Sequence, residues 1–534
     1  MIVAPAVTGF SPDGGIPGSS VAIAGSGFTG STAVTFNGTA GAFNVDSDVQ
    51  ITATVPAAAT SGPIEVTNAA GSADSPTAFT VLPDPALVGS WSEPQDLGII
   101  PIHMALLHTG QVMLYERPQG TLGSAARLYD PSTGLVTDAD LPFDRQIFCS
   151  GLSELSNGQL FVTGGQATGQ PLGDGIKGGT VFDPATSTWS ATADMKVSRW
   201  YPTNVALPSG KVLVMSGQQV HGKYNKLQEL YDPAAGTFST LPHSAQRKFV
   251  ALYPRSFVMP DGRVFVAGGD PKTAALDLTT NTWTEMGNLL FGTRSGGSAV
   301  LLPGLHQILT AGGGNSVGTN TAEVFDYDNP SAGWAWTGSM NYARRSLNLV
   351  LLPTGHVLAV GGNRKGPRLD PVYAAEDYDP ATGSWSVLAS MSLQRSYHST
   401  ALLLPDGRVL SAGADTGLPD EHLMQIYSPP YLFNGPRPVI TSAPDSLTYG
   451  QHFAIGTDDP AGVSRVELIR PGAVTHSNNM DQRLVDLTFG VNPDTGQLEA
   501  DAPANANLAP PGYYMLFILS AAGTPSVSTW VHVS

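Results

Sequence analysis

The segment "DGRVFVAGG" (residues 261–269) decides the architecture, because the chain repeats it. A tight turn leads into a short apolar strand, and a doublet of small residues ends the phrase. It returns as "NGQLFVTGG" (157–165), "SGKVLVMSG" (209–217), "LHQILTAGG" (305–313), "TGHVLAVGG" (354–362) and "DGRVLSAGA" (406–414). The doublets begin at Gly164, Ser216, Gly268, Gly312, Gly361 and Ala412, spaced 52, 52, 44, 49 and 51 residues apart. A seventh copy, "TGQVMLYE" (109–116), keeps the turn and strand but lacks the glycines. Most copies are followed by a second phrase, such as "VFDPATSTWS" (181–190), "LYDPAAGTFS" (230–239) or "DYDPATGSWS" (377–386), that reads as an outer strand.

A period near 50 residues with four short strands per unit is that of a kelch-type propeller blade. Each blade buries its faces only against its neighbours, so a closed ring removes most exposed strand edges. Glycine in the doublet lets backbones crowd where strands converge on the axis. Seven copies predict a seven-bladed β-propeller over residues 85–432.

The flanks read differently. Residues 1–84 hold short alternating strands (Val21–Ala24, Ala33–Phe36, Ile51–Val55, Ile64–Thr67, Ala78–Val81) between Gly-rich turns, the pattern of a small β-sandwich. The phrases "ITATVP" (51–56) and "GPIEVTNAAGSAD" (62–74) resemble the immunoglobulin-like IPT/TIG module. Residues 433–534 begin in the Pro-rich stretch Asn434–Pro438 and continue through "HFAIGT", "RVELIR", "YYMLFILSA" and "STWVHVS", which predicts a second β-sandwich. The fold class is therefore all-β throughout.

Charge narrows the partners. Charged residues are only 13% of the chain, the net charge is −17 and no Lys/Arg cluster occurs, which argues against nucleic acid or an anionic membrane surface as a partner. No stretch approaches the roughly 18 consecutive apolar residues of a membrane helix. Met1-Ile2-Val3-Ala4-Pro5 runs straight into a strand pattern with no signal peptide. The acidic, Ser/Thr/Gly-rich composition leads us to expect a secreted protein numbered without its signal sequence.

Repeats expose function through their exceptions. Fifteen residues before each doublet stand Cys149, Tyr201, Tyr253, Gly297, Ser346 and Tyr397. The period alone puts these positions at one end of the central channel. The only cysteine, several phenols and the imidazole of His398 are thus expected in one axial pocket. A lone cysteine ordinarily serves as a small buried hydrophobe, and channel-lining tyrosines and histidines can simply fill space and bond to backbone. Taken together they form a mixed N/O/S set suited to a tetragonal Cu(II) site. No second cysteine stands at zinc-finger spacing, and no G-x-S-x-G elbow precedes a helix.

At these positions the chain resembles the galactose oxidase and glyoxal oxidase family of copper radical oxidases. The similarity is carried by "RQIFCSG" (Cys149), "SRWYPTNVALPSG" (Tyr201), "RSYHSTALLLPDGRVLSAG" (Tyr397, His398), "PGAVTHSNNMDQRLVDL" (His476) and "PPGYYMLFILSAAGTPSVS". The resemblance implies that Cys149 and Tyr201 form a thioether cross-link, a protein-derived cofactor whose phenol can hold a radical. It implies one copper ion bound by Tyr201, His398 and His476 in the equatorial plane, with Tyr397 as axial ligand and proton acceptor. His476 would then enter the channel from a C-terminal loop. The activity implied is oxidation of a primary alcohol to an aldehyde, or of an aldehyde to an acid, in a small molecule or glycan, with dioxygen reduced to hydrogen peroxide. One departure stands out: Gln219, in Gly217-Gln218-Gln219-Val220-His221, occupies the place of the tryptophan that covers the cross-linked tyrosine in galactose oxidase. Trp200 is adjacent to Tyr201, with its role open. The opposing expectation, from kelch repeats alone, is a catalytically silent propeller that binds a glycan or protein. The joint presence of Cys149, Tyr201, Tyr397, His398 and His476 discriminates against it.

Overall fold

The computed structural model describes residues 2–117, 124–167, 173–249, 252–366, 368–415 and 421–534. Two compact units are seen, Met1–Gly89 and Ser90–Ser534. In the first, alternation along strands such as Ser20–Ser26 and Gln50–Thr54 turns every second side chain inward. Two four-stranded sheets enclose Val21, Ile23, Phe28, Val34, Phe36, Ile51 and Val66.

The second unit contains the propeller. Its blades are built from residues 103–138, 151–194, 200–240, 255–288, 298–337, 345–390 and 400–428, each an antiparallel sheet whose innermost strand comes first. Blades 2 and 3 share the long strand Thr188–Ala206, which is the outer edge of one and the inner edge of the next. The outer strand of blade 7 is supplied from the start of the unit, where Ser90–Trp91 pair with Tyr427 and Ser428. Inner strands of successive blades touch from blade 2 through blade 7, and blade 7 touches blade 1.

Residues 433–534 form a five-stranded and a three-stranded sheet. Their core side chains, including Phe453, Leu468 and Leu516, join one apolar cluster with Phe257, Met259 and Leu301 of the propeller. A loop between two of these strands runs into the channel, where Ala473–Thr475 pair antiparallel with the inner strand of blade 1 and set Thr475 opposite His103. The same short strand touches the inner strands of blades 2 and 7. Among the described residues, no helix is long and apolar enough to cross a membrane.

Candidate active site

The geometry of the site begins in the backbone of the repeat. Cys149 (φ 61°), Tyr201 (φ 63°), Tyr253 (φ 51°), Ser346 (φ 57°) and His398 (φ 70°) all lie in the left-handed region. So do the doublet residues Gly164, Ser216, Gly268, Gly361 and Gly413. Bulky residues hold this conformation only where the surroundings over-determine it, at about 1–3 kcal/mol each. Here fully buried arginines do so. Arg199, Arg294 and Arg344 donate to the carbonyls of Ser216, Gly312 and Gly361, and each also meets a buried glutamate (Glu229, Glu323, Glu376) at 2.6–2.8 Å. A Cβ on Gly164 would come within 2.4 Å of the Arg199 carbonyl oxygen, so the doublet there has no room for a side chain.

The left-handed residues turn the side chains that precede the inner strands toward the axis. Successive loops are also tied together: Tyr201 N donates to Cys149 O at 2.9 Å and Tyr253 N to Tyr201 O at 3.3 Å. In the last copy the register is offset by one. Gly413, not Ala412, takes the left-handed position, because glycine adopts it without strain. Fifteen residues upstream of it stands His398, so the imidazole holds the repeat position and Tyr397 sits beside it.

All five residues expected at the site come together. Tyr201 Oη lies 2.5 Å from Tyr397 Oη and 3.0 Å from His476 Nε2. Cys149 Sγ is 3.7 Å from His476 Nε2, and the donor atoms of Cys149, His398 and His476 all lie within 4.8 Å of one another. Tyr253, another repeat position, stacks on Tyr201 with centroids 4.7 Å apart and donates its hydroxyl to Ser150 O. Gln219 turns elsewhere, its amide donating to Asn225. The indole of Trp200 instead covers the Tyr201 ring, with centroids 3.9 Å apart and planes 14° from parallel.

Burial sets the protonation states. It pushes the Cys149 thiol and the Tyr201 and Tyr397 phenols above their ordinary values and holds the His398 and His476 imidazoles below theirs. Both imidazoles are thus neutral, the form that binds metals, and both phenols need a nearby cation to ionise. His476 Nδ1 is 2.6 Å from Thr475 Oγ1, which leaves Nε2 facing the phenols. His398 Nε2 is buried and has no hydrogen-bond partner among the described residues.

Sequence reasoning missed Asp415, which follows the last doublet. Its Oδ2 lies 3.1 Å from His398 Nδ1 and 2.7 Å from Arg368. The His398 imidazole, with the Arg368 and Arg117 guanidinium groups adding to it, holds the Asp415 carboxyl down at about 2. Above the phenols opens a cavity of about 560 Å³, floored by Tyr201, Tyr253, Tyr397 and His476 and walled by residues that include Tyr224, Asp270 and Asn315.

Residues 124–430 match the glyoxal oxidase N-terminus family, residues 437–533 the galactose oxidase-like early set domain, and residues 5–81 the IPT/TIG domain. A galactose oxidase of Gibberella zeae is 30% identical over 501 residues, which cover 85% of this chain and 71% of that protein. The aldehyde oxidase GLOX of Vitis pseudoreticulata is 29% identical over 84% of this chain and 97% of its own length. A fungal alcohol oxidase of the AA5 family, solved in complex with copper, superposes with a TM-score of 0.75 at 28% identity, over 84% of this chain and all of that one. The chain thus belongs to the galactose oxidase and glyoxal oxidase family, and it is an oxidase of the copper-dependent kind.

Proposed function

We propose that this oxidase holds one copper ion on Tyr201, Tyr397, His398 and His476, and that Cys149 and Tyr201 mature into a thioether-linked redox cofactor. The reaction is RCH2OH + O2 giving RCHO + H2O2, with an aldehyde hydrate following the same course to the acid. The observation that carries the reading is the approach of Tyr201 Oη to Tyr397 Oη and His476 Nε2, beside a buried thiol and an imidazole nitrogen without a hydrogen-bond partner among the described residues. Two neutral imidazoles and two phenols fit a tetragonal copper ion in donor type and number. Metal charge would also reverse the effect of burial on the phenols.

Copper, when bound, supplies one-electron redox chemistry and a Lewis-acid seat for the substrate oxygen. The remaining work falls to the chain. Tyr397 Oη accepts the proton of the substrate hydroxyl. The oxidised, thioether-linked Tyr201 takes a hydrogen atom from the adjacent carbon, which is the second oxidising equivalent that a one-electron metal lacks. Trp200 and Tyr253, stacked on the Tyr201 ring, shield it from water and reductants. Thr475 holds the tautomer of His476. The cavity above the phenols admits a small alcohol, an aldehyde or the end of a glycan.

We read the chain as three functional parts, with residues 1–84 as an accessory module, 85–432 as the catalytic ring and 433–534 as the carrier of the His476 loop. Secretion suits an enzyme that consumes dioxygen and discharges peroxide. The test is copper titration followed by a screen for peroxide release across primary alcohols, aldehydes and galactosides. Stoichiometric copper binding that falls in both His398→Ala and His476→Ala, with peroxide from at least one substrate class, is the expected result. Unchanged copper stoichiometry and Cu(II) spectrum in both variants would overturn the ligand assignment.

A further inference from the structure

The two imidazoles of the site are backed by different groups. His476 Nδ1 meets a neutral hydroxyl, Thr475 Oγ1, at 2.6 Å. His398 Nδ1 meets a carboxylate, Asp415 Oδ2, at 3.1 Å, within hydrogen-bond distance though imperfectly aligned. The other ring neighbours of His398 are aromatic: Tyr397 stacks on it with centroids 4.0 Å apart, Phe148 meets it edge-on at 5.7 Å and His476 at 4.5 Å. Asp415 is itself held by Arg368, 2.7 Å away, and by Arg117 at 3.7 Å. These partners come from three separate loops. Asp415 follows the second strand of blade 7, Arg117 follows that of blade 1, and Arg368 lies beyond the second strand of blade 6. The cluster therefore bridges the place where the ring closes, between its last and first blades.

We propose that Asp415 is a positioning residue for the metal site: its carboxylate fixes His398 with Nε2 turned to the copper, and Arg368 and Arg117 hold that carboxylate across the seam of the ring. The inference rests on the copper reading. A carboxylate behind a ligating imidazole fixes its tautomer and ring angle and raises its basicity, and loss of such a partner typically costs tenfold to a hundredfold in metal affinity. The arginines keep the aspartate charged and in place from the solvent side, where both are partly exposed.

Copper affinity, measured by chelator competition on the full chain, tests the assignment together with the Cu(II) electron paramagnetic resonance spectrum. Asp415→Asn keeps the shape and removes the charge. It should weaken copper binding by about tenfold to a hundredfold, change the copper hyperfine pattern and leave the melting temperature of the metal-free protein unchanged. Asp415→Glu should recover part of the affinity. Arg368→Met, a change at a partly exposed position that leaves Asp415 in place, should lower affinity severalfold. Wild-type affinity and spectrum in Asp415→Asn, alongside loss of binding in His398→Ala, would overturn this inference alone. Failure of the wild-type chain to bind copper would overturn the copper reading and this inference with it.

Discussion

Tyr397→Phe separates the two phenols most cleanly. The substitution deletes one oxygen, the one 2.5 Å from Tyr201 Oη, and leaves the ring packed against His398 and His476 at centroid distances of 4.0 and 5.4 Å. Because only a hydroxyl is lost, the fold and the neighbouring imidazoles should be undisturbed, and copper should remain bound through Tyr201, His398 and His476. In the mechanism proposed above, this variant has lost its proton acceptor. Removal of a general base costs on the order of 10²–10⁴ in rate, or about 3–5.5 kcal/mol of barrier at 1.36 kcal/mol per tenfold. Tyr201 keeps its contact with His476 Nε2 at 3.0 Å and its place beneath Trp200, so the optical band of its radical should persist. Tyr201→Phe, by contrast, should abolish both turnover and the band. The assay is peroxide release coupled to a peroxidase, read against copper content and the radical absorbance of each variant. A band lost in Tyr397→Phe and kept in Tyr201→Phe would mean the roles are exchanged. Full turnover in both would remove the radical mechanism.

Other outcomes follow from the same geometry. Intact mass after exposure to copper and oxygen should fall by two hydrogens, with a peptide joining Cys149 to Tyr201; a free, alkylatable Cys149 in the copper-loaded aerobic protein would contradict the cross-link. Glu376→Ala leaves the Arg344 charge buried and uncompensated, since both side chains are fully buried and 2.6 Å apart. It should cost about 3–5 kcal/mol in denaturant unfolding, and a loss below about 1 kcal/mol would show that Arg344 finds another partner. Burial pushes the carboxyl of Glu154 up to about 8. The folded state then binds a proton that the unfolded state has released, so stability is lost as pH rises from the ordinary carboxylate range through about 8. Glu154→Gln should flatten that decline, and equal pH slopes in the two proteins would show that Glu154 does not cause it.

The ring was legible in the sequence because its period, turn residues and small doublets are local signals. The convergence of Cys149, Tyr201 and Tyr253 followed from counting back along that period. The same counting stopped one residue short in the last copy. "SAGA" offers two small residues, and only backbone conformation tells Gly413 from Ala412. His476 lies outside the repeat, so no spacing rule could place it; only the likeness of its motif to a known family did. The cover over Tyr201 was hidden for a different reason. Neighbouring residues on a regular strand point to opposite faces, which sets Trp200 and Tyr201 apart. The left-handed φ of 63° at Tyr201 breaks the alternation and brings the two rings face to face. Asp415 was unreadable because its meaning depends on Arg117 and Arg368, which lie on loops hundreds and tens of residues away. The buried arginines did leave a trace, since Arg199 and Arg344 each stand 17 residues before a doublet and Arg294 stands 18 before one.

The closure of blade 7 by Ser90–Trp91 also sets a timetable for the enzyme. Ribosomes deliver the chain from one end, so the strand that seals the ring emerges early and waits for Tyr427 and Ser428. His476 follows Cys149 by 327 residues. At about 5–20 residues per second that interval is roughly 16–65 s. Through it the thiol lacks the His476 imidazole, and for all but the last 48 residues of it the ring also lacks Tyr427 and Ser428, the partners of its sealing strand. Cys149, Tyr201, Tyr397, His398 and His476 therefore cannot be brought together until translation has delivered the loop that carries His476.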